Sequence, residues 1–198
     1  MTTVNLKKTT AFIIILVLTF TVARGQFTKI GGGLAYGTGF HFKNETAGVA
    51  GDLLRSPLIG IYISGIYDLK PPFRIAPSFS YFIPRTNRTS QPVGGENTRI
   101  SSVMFDINGH YVFNPEERFE FYGLGGLDIT FAGIRWSGPS TSVNDNAIGL
   151  NLGAGTGIKL IGNLDLKVEV KYILSKYSQF LLNAGVFLNL QPAGKKKS

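Results

Sequence analysis

The sequence contains no cysteine. This absence excludes a disulfide framework, a thiolate metal site and a cysteine nucleophile. It also excludes a lipid-anchored N-terminal cysteine. An exported chain of this composition is compatible with an oxidising compartment, because it has no thiol that could pair wrongly.

Charge is also scarce. Charged residues make up 16% of the chain, whereas about 25% is usual for a soluble domain. The formal net charge of +8 lies mostly at the two ends, in Lys7, Lys8, Arg24, Lys195, Lys196 and Lys197. The remainder is only slightly basic, so a nucleic-acid-binding face is not indicated and nucleic acid is not an expected partner.

Residues 1–25 predict a secretory signal peptide. A positive n-region precedes the apolar stretch at 11–20 (AFIIILVLTF), which is shorter than the roughly 20 residues that a spanning helix needs. Ala23 and Gly25 place small residues before a cleavage site between Gly25 and Gln26. The alternative is an uncleaved N-terminal anchor helix; export is expected in either case.

The mature part, residues 26–198, shows no convincing helical period. It alternates large apolar residues with small or polar ones, and that period of two predicts β-strands. In the clearest stretch, Leu166 and Val168 alternate with Lys167 and Glu169. The predicted strands cover residues 27–42, 58–69, 73–83, 99–113, 118–136, 147–160, 164–174 and 179–190.

The links between these stretches alternate in length. Long links are predicted at 43–56, 84–98 and 137–146, and short ones at 70–72, 114–117 and 161–163. The alternation predicts a long last link, but the last link, 175–177, is short. Long loops on one side and tight turns on the other are typical of transmembrane barrels, with the short turns and both chain ends on the periplasmic side.

The two faces of the strands indicate which one meets lipid. The interior of an eight-stranded barrel is just wide enough for its own side chains, so the face rich in Gly, Ala, Ser, Asn and charge fits the lumen. The bulky apolar face is then expected outside, and the stretches reach the about 9 to 11 residues that a tilted spanning strand needs. We predict an all-β fold: an eight-stranded antiparallel up-and-down transmembrane β-barrel.

The leader, the alternating segments and the long–short rhythm of links resemble the small outer-membrane β-barrel domain family. Its relatives include the barrel of the outer-membrane protein A type and the porin-like barrels of the Bacteroidetes lineage. The resemblance covers Gln26 to about Leu190 and implies a location in the cell outer membrane and assembly by the barrel-assembly machinery. Family members often end on an aromatic residue that this machinery reads, whereas here residues 188–198 follow Phe187.

The membrane setting also suggests lipid partners. Lys43, Arg55, Arg85 and Arg88 fall in predicted long loops. There they would face the phosphates of outer-leaflet lipopolysaccharide, so outer-membrane lipid and lipopolysaccharide are the expected partners.

Charged residues recur on the predicted lumen face. They are Lys29, Asp68, Arg74, Asp106, Glu120, Asp128, Lys159, Asp165, Lys167, Glu169 and Lys171. The near balance of signs predicts that they pair, which offsets the desolvation of each charge. Two roles stay open: an ion-pair network that fills the barrel, and a narrow polar path or gate for small solutes.

No pattern indicates a catalytic, metal or cofactor site. The two histidines, His41 and His110, have no serine partner close in sequence, so a nucleophilic site and a metal site are not indicated. Glycine clusters at 31–33, 123–126 and 153–157 lie inside strand patterns. They are interpreted as relieving crowding in a narrow barrel and not as phosphate-binding loops.

The resulting hypothesis is an integral outer-membrane barrel with a structural, adhesive or weakly porin-like role and no catalysis. One alternative is a secreted, lipocalin-like binder that buries the apolar face around a small molecule. The other is an outer-membrane lipid-modifying enzyme, for which His110 is the best candidate residue.

Overall fold

The computed structural model describes residues 27–39, 57–88, 97–115, 117–136 and 142–190. The predicted leader, its cleavage site between Gly25 and Gln26, and the residues His41, Lys43 and Arg55 lie outside the described residues. Within the described ranges, no helix is long and apolar enough to cross a membrane.

Eight antiparallel strands form one closed sheet, in which each strand pairs with its neighbour in sequence and the last pairs with the first. The strands are β1 Lys29–Gly37, β2 Leu58–Asp68, β3 Phe73–Arg88, β4 Asn97–Val112, β5 Phe119–Trp136, β6 Ser142–Lys159, β7 Leu164–Leu174 and β8 Gln179–Asn189. The predicted all-β, eight-stranded up-and-down barrel is confirmed. Closure leaves no unpaired strand edge, which is the condition for a sheet to exist in hydrocarbon.

The outer surface carries a continuous apolar wall. Side chains alternate between buried and exposed along β2 and β8, because successive residues of a strand point to opposite faces of the sheet. Ile148, for example, is 73% exposed. We call this wall the lipid-facing belt; it includes Leu34, Ile61, Ile63, Phe105, Ile107, Leu127, Ile129, Phe131, Ile148, Leu150, Leu152, Val170, Leu182 and Val186.

The strands are unequal in length. β1, β2, β7 and β8 have 9, 11, 11 and 11 residues, but β3 to β6 have 16, 16, 18 and 18. The predicted end of β3 at residue 83 and start of β6 at residue 147 made these strands too short. β1 ends at Gly37, and residues 40–42 of its predicted range lie outside the described residues. Beyond the belt the apolar alternation stops while backbone pairing continues through polar residues, with a register shift between Phe82 and Arg85.

The extra length of β3 to β6 forms a small four-stranded sheet on the long-loop side of the barrel. We call it the long-strand extension; it comprises residues 85–88, 97–101, 133–136 and 142–146. Arg85 and Arg88, which were predicted to lie in a loop, are therefore part of β3. Their strand continues because residues 85–88 keep their backbone pairing with β4.

On the opposite side of the barrel, the strands end in tight turns. In the β4–β5 turn the Asn114 carboxamide donates to the Phe119 carbonyl at 2.6 Å and accepts from the Phe121 amide at 2.7 Å. One side chain of the turn thus bonds to two backbone groups at the start of β5.

The lumen holds more large apolar side chains than the sequence predicted. Phe82, Met104 and Phe187 are almost completely buried inside it. Glycines on facing strands leave room for such groups: a Cβ on Gly31 would lie 2.5 Å from the Phe187 ring. This contact agrees with the interpretation that lumen glycines relieve crowding, but the prediction of a lumen lined by small and polar groups was incomplete.

Candidate functional site in the barrel lumen

The charged residues of the lumen form separate groups at different depths. The first lies at the short-turn end and is centred on Arg74. Its guanidinium donates two hydrogen bonds to the Glu120 carboxylate, at 2.7 and 3.2 Å, and its Nε lies 2.8 Å from Asp68 Oδ1. Asp68 and Arg74 are register partners on β2 and β3, so the tight turn between these strands brings the pair together.

Lysines complete this first group. Lys29 Nζ lies 2.5 Å from Asp165 Oδ2 and 3.8 Å from Glu120 Oε2. Lys159 Nζ lies 3.7 Å from Glu120 Oε1, and Lys159 is the register partner of Asp165. We call this charge-balanced set the mouth network; it consists of Lys29, Asp68, Arg74, Glu120, Lys159 and Asp165.

The second group lies deeper and is centred on Glu169. Lys167 Nζ is 3.0 Å from Glu169 Oε2, and the Tyr122 hydroxyl donates to the same oxygen at 3.1 Å. The His110 ring stacks on Tyr122, with 4.5 Å between ring centroids, and its Nε2 is 3.8 Å from Glu169. Lys167 Nζ also lies 5.2 Å from the centroid of the Phe187 ring, so aromatic faces stabilise this buried cation.

The third group is a buried ion pair near the middle of the barrel. Lys171 Nζ lies 2.9 Å from Asp106 Oδ2, and both side chains have 0% exposure. Asp106 also accepts hydrogen bonds from Ser78 at 3.0 Å and from Asn151 at 2.8 Å. These hydrogen bonds satisfy remaining lone pairs of the carboxylate, which a buried ion pair needs to offset its desolvation.

A layer of buried, mostly apolar side chains lies above this ion pair, in register with the uncharged Ser80 and Gln179. Met104 and Ile173 stand two residues beyond Asp106 and Lys171 on the same strands, toward the long-loop side, and both are 0% exposed. They belong to one buried cluster with residues near the long-loop ends of β2, β3 and β8. We call this layer the apolar plug; it consists of Leu58, Phe82, Met104, Ile173 and Leu181.

The predicted lumen charges differ in how they are paired. It joins the residues of the mouth network and forms two deeper pairs. Asp128 is in no ion pair among the described residues, and its Oδ2 accepts a hydrogen bond from Thr130 at 2.8 Å. Over the same part of the chain, no group of three or more His, Asp or Glu side chains is arranged to hold a metal ion.

The uncharged members of the lumen were missed at the level of sequence. The pattern did not identify Tyr122 or Asn151 as partners of the buried carboxylates, and it did not identify the plug. The signal for the plug was the alternation itself, because Ile173 continues the inward-facing frame of Lys171. Apolar residues in that frame indicate where charged side chains of the lumen give way to uncharged ones.

At the long-loop rim, the link between β7 and β8 contacts β6. The Tyr177 hydroxyl and Lys176 Nζ both donate to the Asp145 carboxylate. Burial, together with this carboxylate, raises the pKa of the Tyr177 hydroxyl above its ordinary value. The carboxylate is therefore held by two donors on the rim.

Comparisons with known proteins place this geometry in a family. The sequence model of the family described as outer membrane protein beta-barrel domain matches residues 10–188 of this chain. The chain belongs to the outer-membrane β-barrel domain family. Its predicted resemblance to that family and its location in the outer membrane are thus confirmed, and the outward apolar belt excludes the lipocalin-like alternative.

Solved structures of small outer-membrane barrels share the fold. The attachment invasion locus protein Ail of Yersinia pestis is 16% identical, with a TM-score of 0.56 over 82% of this chain and 97% of that chain. Neisserial surface protein A is 16% identical, with a TM-score of 0.56 over 81% and 96%. The N-terminal β-barrel domain of Pseudomonas aeruginosa OprF is 16% identical, with a TM-score of 0.51 over 83% and 98%. No curated protein matches this chain.

Proposed function

We propose that this family member is a structural or adhesive barrel whose lumen does not conduct. The observation that carries the proposal is the apolar plug, stacked directly on the buried pair of Lys171 and Asp106. A hydrated ion on this path would have to displace fully buried side chains, and small barrels of this strand number have filled interiors. Among the structural, adhesive and weakly porin-like roles, the packing therefore favours the first two.

The proposed orientation puts the short turns in the periplasm and the long-strand extension outside the cell, as in other transmembrane barrels. In this orientation the extension raises four paired strands above the lipid-facing belt. The extension would stand outside the membrane as a hydrogen-bonded sheet. That arrangement supports an adhesive or scaffolding role at the cell surface.

The proposed function includes no catalysis. His110 was the best candidate for a lipid-modifying enzyme, but its ring is buried in the lumen against Tyr122 and Glu169. A lipid acyl group on the outer wall could not reach it. This geometry supports a packing role for the histidine.

Two classes of partner belong to the proposal. The barrel-assembly machinery would receive the chain through its last strand, β8, which pairs with both β7 and β1. Lipopolysaccharide would lie beside the basic residues of the long-loop side. Arg85 is one of these, with its guanidinium donating to the Pro57 carbonyl at the top of β2.

Cleavage of the leader is also part of the proposal. We expect the protein isolated from the outer membrane to begin at Gln26, because Ala23 and Gly25 meet the small-residue requirement of signal peptidase. Intact-mass measurement of the extracted protein checks this. A mass that retains residues 1–25 would identify an uncleaved anchor instead.

Conductance in planar bilayers tests the closed lumen. We expect the folded, heat-modifiable protein to show no current steps above those of detergent alone, because the plug and the ion pair fill the path. The result that contradicts the proposal is a set of stable steps whose ion selectivity changes in Asp106→Asn. Such a change would show that the current passes the middle of the lumen.

A further inference from the structure

A crevice of about 400 Å³ opens on the outer wall of the barrel, away from the lumen site. It lies where β4, β5 and β6 leave the lipid-facing belt and continue into the long-strand extension. Its volume falls in the about 300–1,000 Å³ range of small-ligand pockets. Its outer lining is formed by Ser101, Val103, Phe131, Gly133, Asn144 and Asn146.

Gly133 forms the floor of this crevice. A Cβ at this position would lie 3.0 Å from Ser101 Oγ and 3.1 Å from Asn144 Oδ1. The hydroxyl of Ser101 and the carboxamide of Asn144 therefore converge over the one residue that has no side chain. Both groups can donate and accept hydrogen bonds, as a polyhydroxylated ligand requires.

The register of β4, β5 and β6 determines how side-chain polarity changes along the outer wall. Three neighbouring strands place residues side by side in rungs, and successive outward rungs are two residues, or about 7 Å, apart. Moving away from the membrane, the rungs are apolar, mixed, neutral polar and arginine-bearing. They are Phe105–Ile129–Ile148, Val103–Phe131–Asn146 and Ser101–Gly133–Asn144, and the last is marked by the exposed Arg99 of β4.

This order matches one class of amphiphile. Acyl chains would lie on the apolar rung, a sugar headgroup would fill the crevice, and a phosphate on that sugar would reach the exposed Arg99. Arginine is the side chain best suited to phosphate, because its guanidinium can donate two parallel hydrogen bonds. An ordinary glycerophospholipid carries its phosphate next to the glycerol and would put it on the neutral rung.

The charge around the crevice is compatible with an anion. Asp145 is the one acidic residue in the lining of the crevice among the described residues, and it stands in the inward-facing frame of β6, in register with the buried Ala132. Lys176 and the Tyr177 hydroxyl both donate to it. The positive partner offsets its charge, so it does not oppose a phosphate near Arg99.

We propose that this crevice binds the headgroup of one phosphorylated glycolipid of the outer leaflet. The proposal rests on the orientation given under the proposed function, because only the long-loop side faces that leaflet. The binding site would lie on the outer wall formed by β4, β5 and β6, and its ligand would be a phosphorylated sugar that carries acyl chains.

Native mass spectrometry of the full mature protein tests this site. The protein is reconstituted into nanodiscs with equal amounts of bisphosphorylated lipid A and phosphatidylglycerol, then released and its retained lipids are counted. We expect one lipid A to be retained in preference to phosphatidylglycerol. Gly133→Leu fills the crevice and Arg99→Gln removes a charge-assisted contact, so each is expected to lower retention about tenfold.

Matched substitutions elsewhere serve as controls. Gly125→Leu alters an outward-facing glycine within the belt, where a Cβ would meet only the Asn151 carbonyl at 3.8 Å. Arg118→Gln alters an exposed arginine at the short-turn end. Both control variants are expected to retain lipid A as the unmodified protein does.

Equal retention of both lipids, or unchanged retention in Arg99→Gln, would overturn the glycolipid site. Arg99 is exposed, so its replacement decides the question even if Gly133→Leu does not fold. A heat-induced gel shift of each sample separates this failure from that of the proposed function. Folded protein without selective retention refutes only the site, whereas protein without a gel shift has not formed the membrane barrel on which the proposed function depends.

Discussion

Gly33→Val is expected to abolish the closed barrel. Gly33 lies in β1 opposite Gly185 in β8, at the seam where the last strand meets the first. A Cβ on Gly33 would overlap the carbonyl oxygen of Ala184 and the Cα of Gly185. These are backbone atoms, which cannot rotate away as a side chain can, so the two strands would have to separate.

Separation of β1 from β8 costs free energy because the seam lies in the hydrocarbon of the membrane, where water cannot replace the lost backbone hydrogen bonds. Each unpaired backbone group in hydrocarbon costs several kcal/mol, and an open sheet edge is not tolerated there. We therefore expect complete loss of the heat-induced gel shift after refolding into lipid vesicles. A Gly33→Val protein with a normal shift and an unchanged urea midpoint would contradict this interpretation of the seam.

The control for this prediction is Gly123→Val. Gly123 faces outward on β5, and the nearest atom to an added Cβ is in the Phe113 ring at 3.7 Å. This is ordinary contact distance, so the added methyl groups would lie in lipid. We expect the gel shift of this variant to equal that of the unmodified protein.

Lys171→Met is expected to destabilise the barrel by about 3–5 kcal/mol, the usual effect of removing one partner of a buried ion pair. The substitution leaves the Asp106 carboxylate without its cation in a fully buried position. Hydrogen bonds from Ser78 and Asn151 remain, but neither carries a compensating charge. Urea titration of protein folded in vesicles, followed by the gel shift, measures the change in unfolding free energy.

Two further variants give this prediction its controls. Lys159→Met removes a lysine of the mouth network whose side chain is 39% exposed and 3.7 Å from Glu120, so a loss of at most about 1 kcal/mol is expected. Adding Asp106→Asn to Lys171→Met removes the uncompensated charge and should recover much of the stability. A double variant no more stable than Lys171→Met would show that the pair is not coupled as the geometry requires.

The course of the strands was predictable because side chains alternate across a sheet with a period of two. The stretch 164–174 predicted both the bounds and the inward face of β7. The alternation fails as a guide where the lipid ends. There β6 extends to Ser142, since backbone hydrogen bonds need no apolar side chains.

The partners of the lumen charges were predictable only in part. Asp68 and Arg74 flank a tight turn, so a local hairpin register brings them together. Lys171 and Asp106 come from β7 and β4, which share no backbone ladder among the pairings of the barrel. Their meeting depends on the diameter of the closed sheet and on the stagger between strands.

The sequence by itself determined the class of this protein: its strands present one apolar and one mixed face, and hence form a membrane barrel. The tertiary structure decided what fills the barrel and what lines its outer wall. The plug, the central ion pair and the crevice over Gly133 all join residues distant in sequence. The physical reason is that alternation is a property of each strand alone, whereas contacts across a lumen or along a rung exist only after the strands have closed in one register.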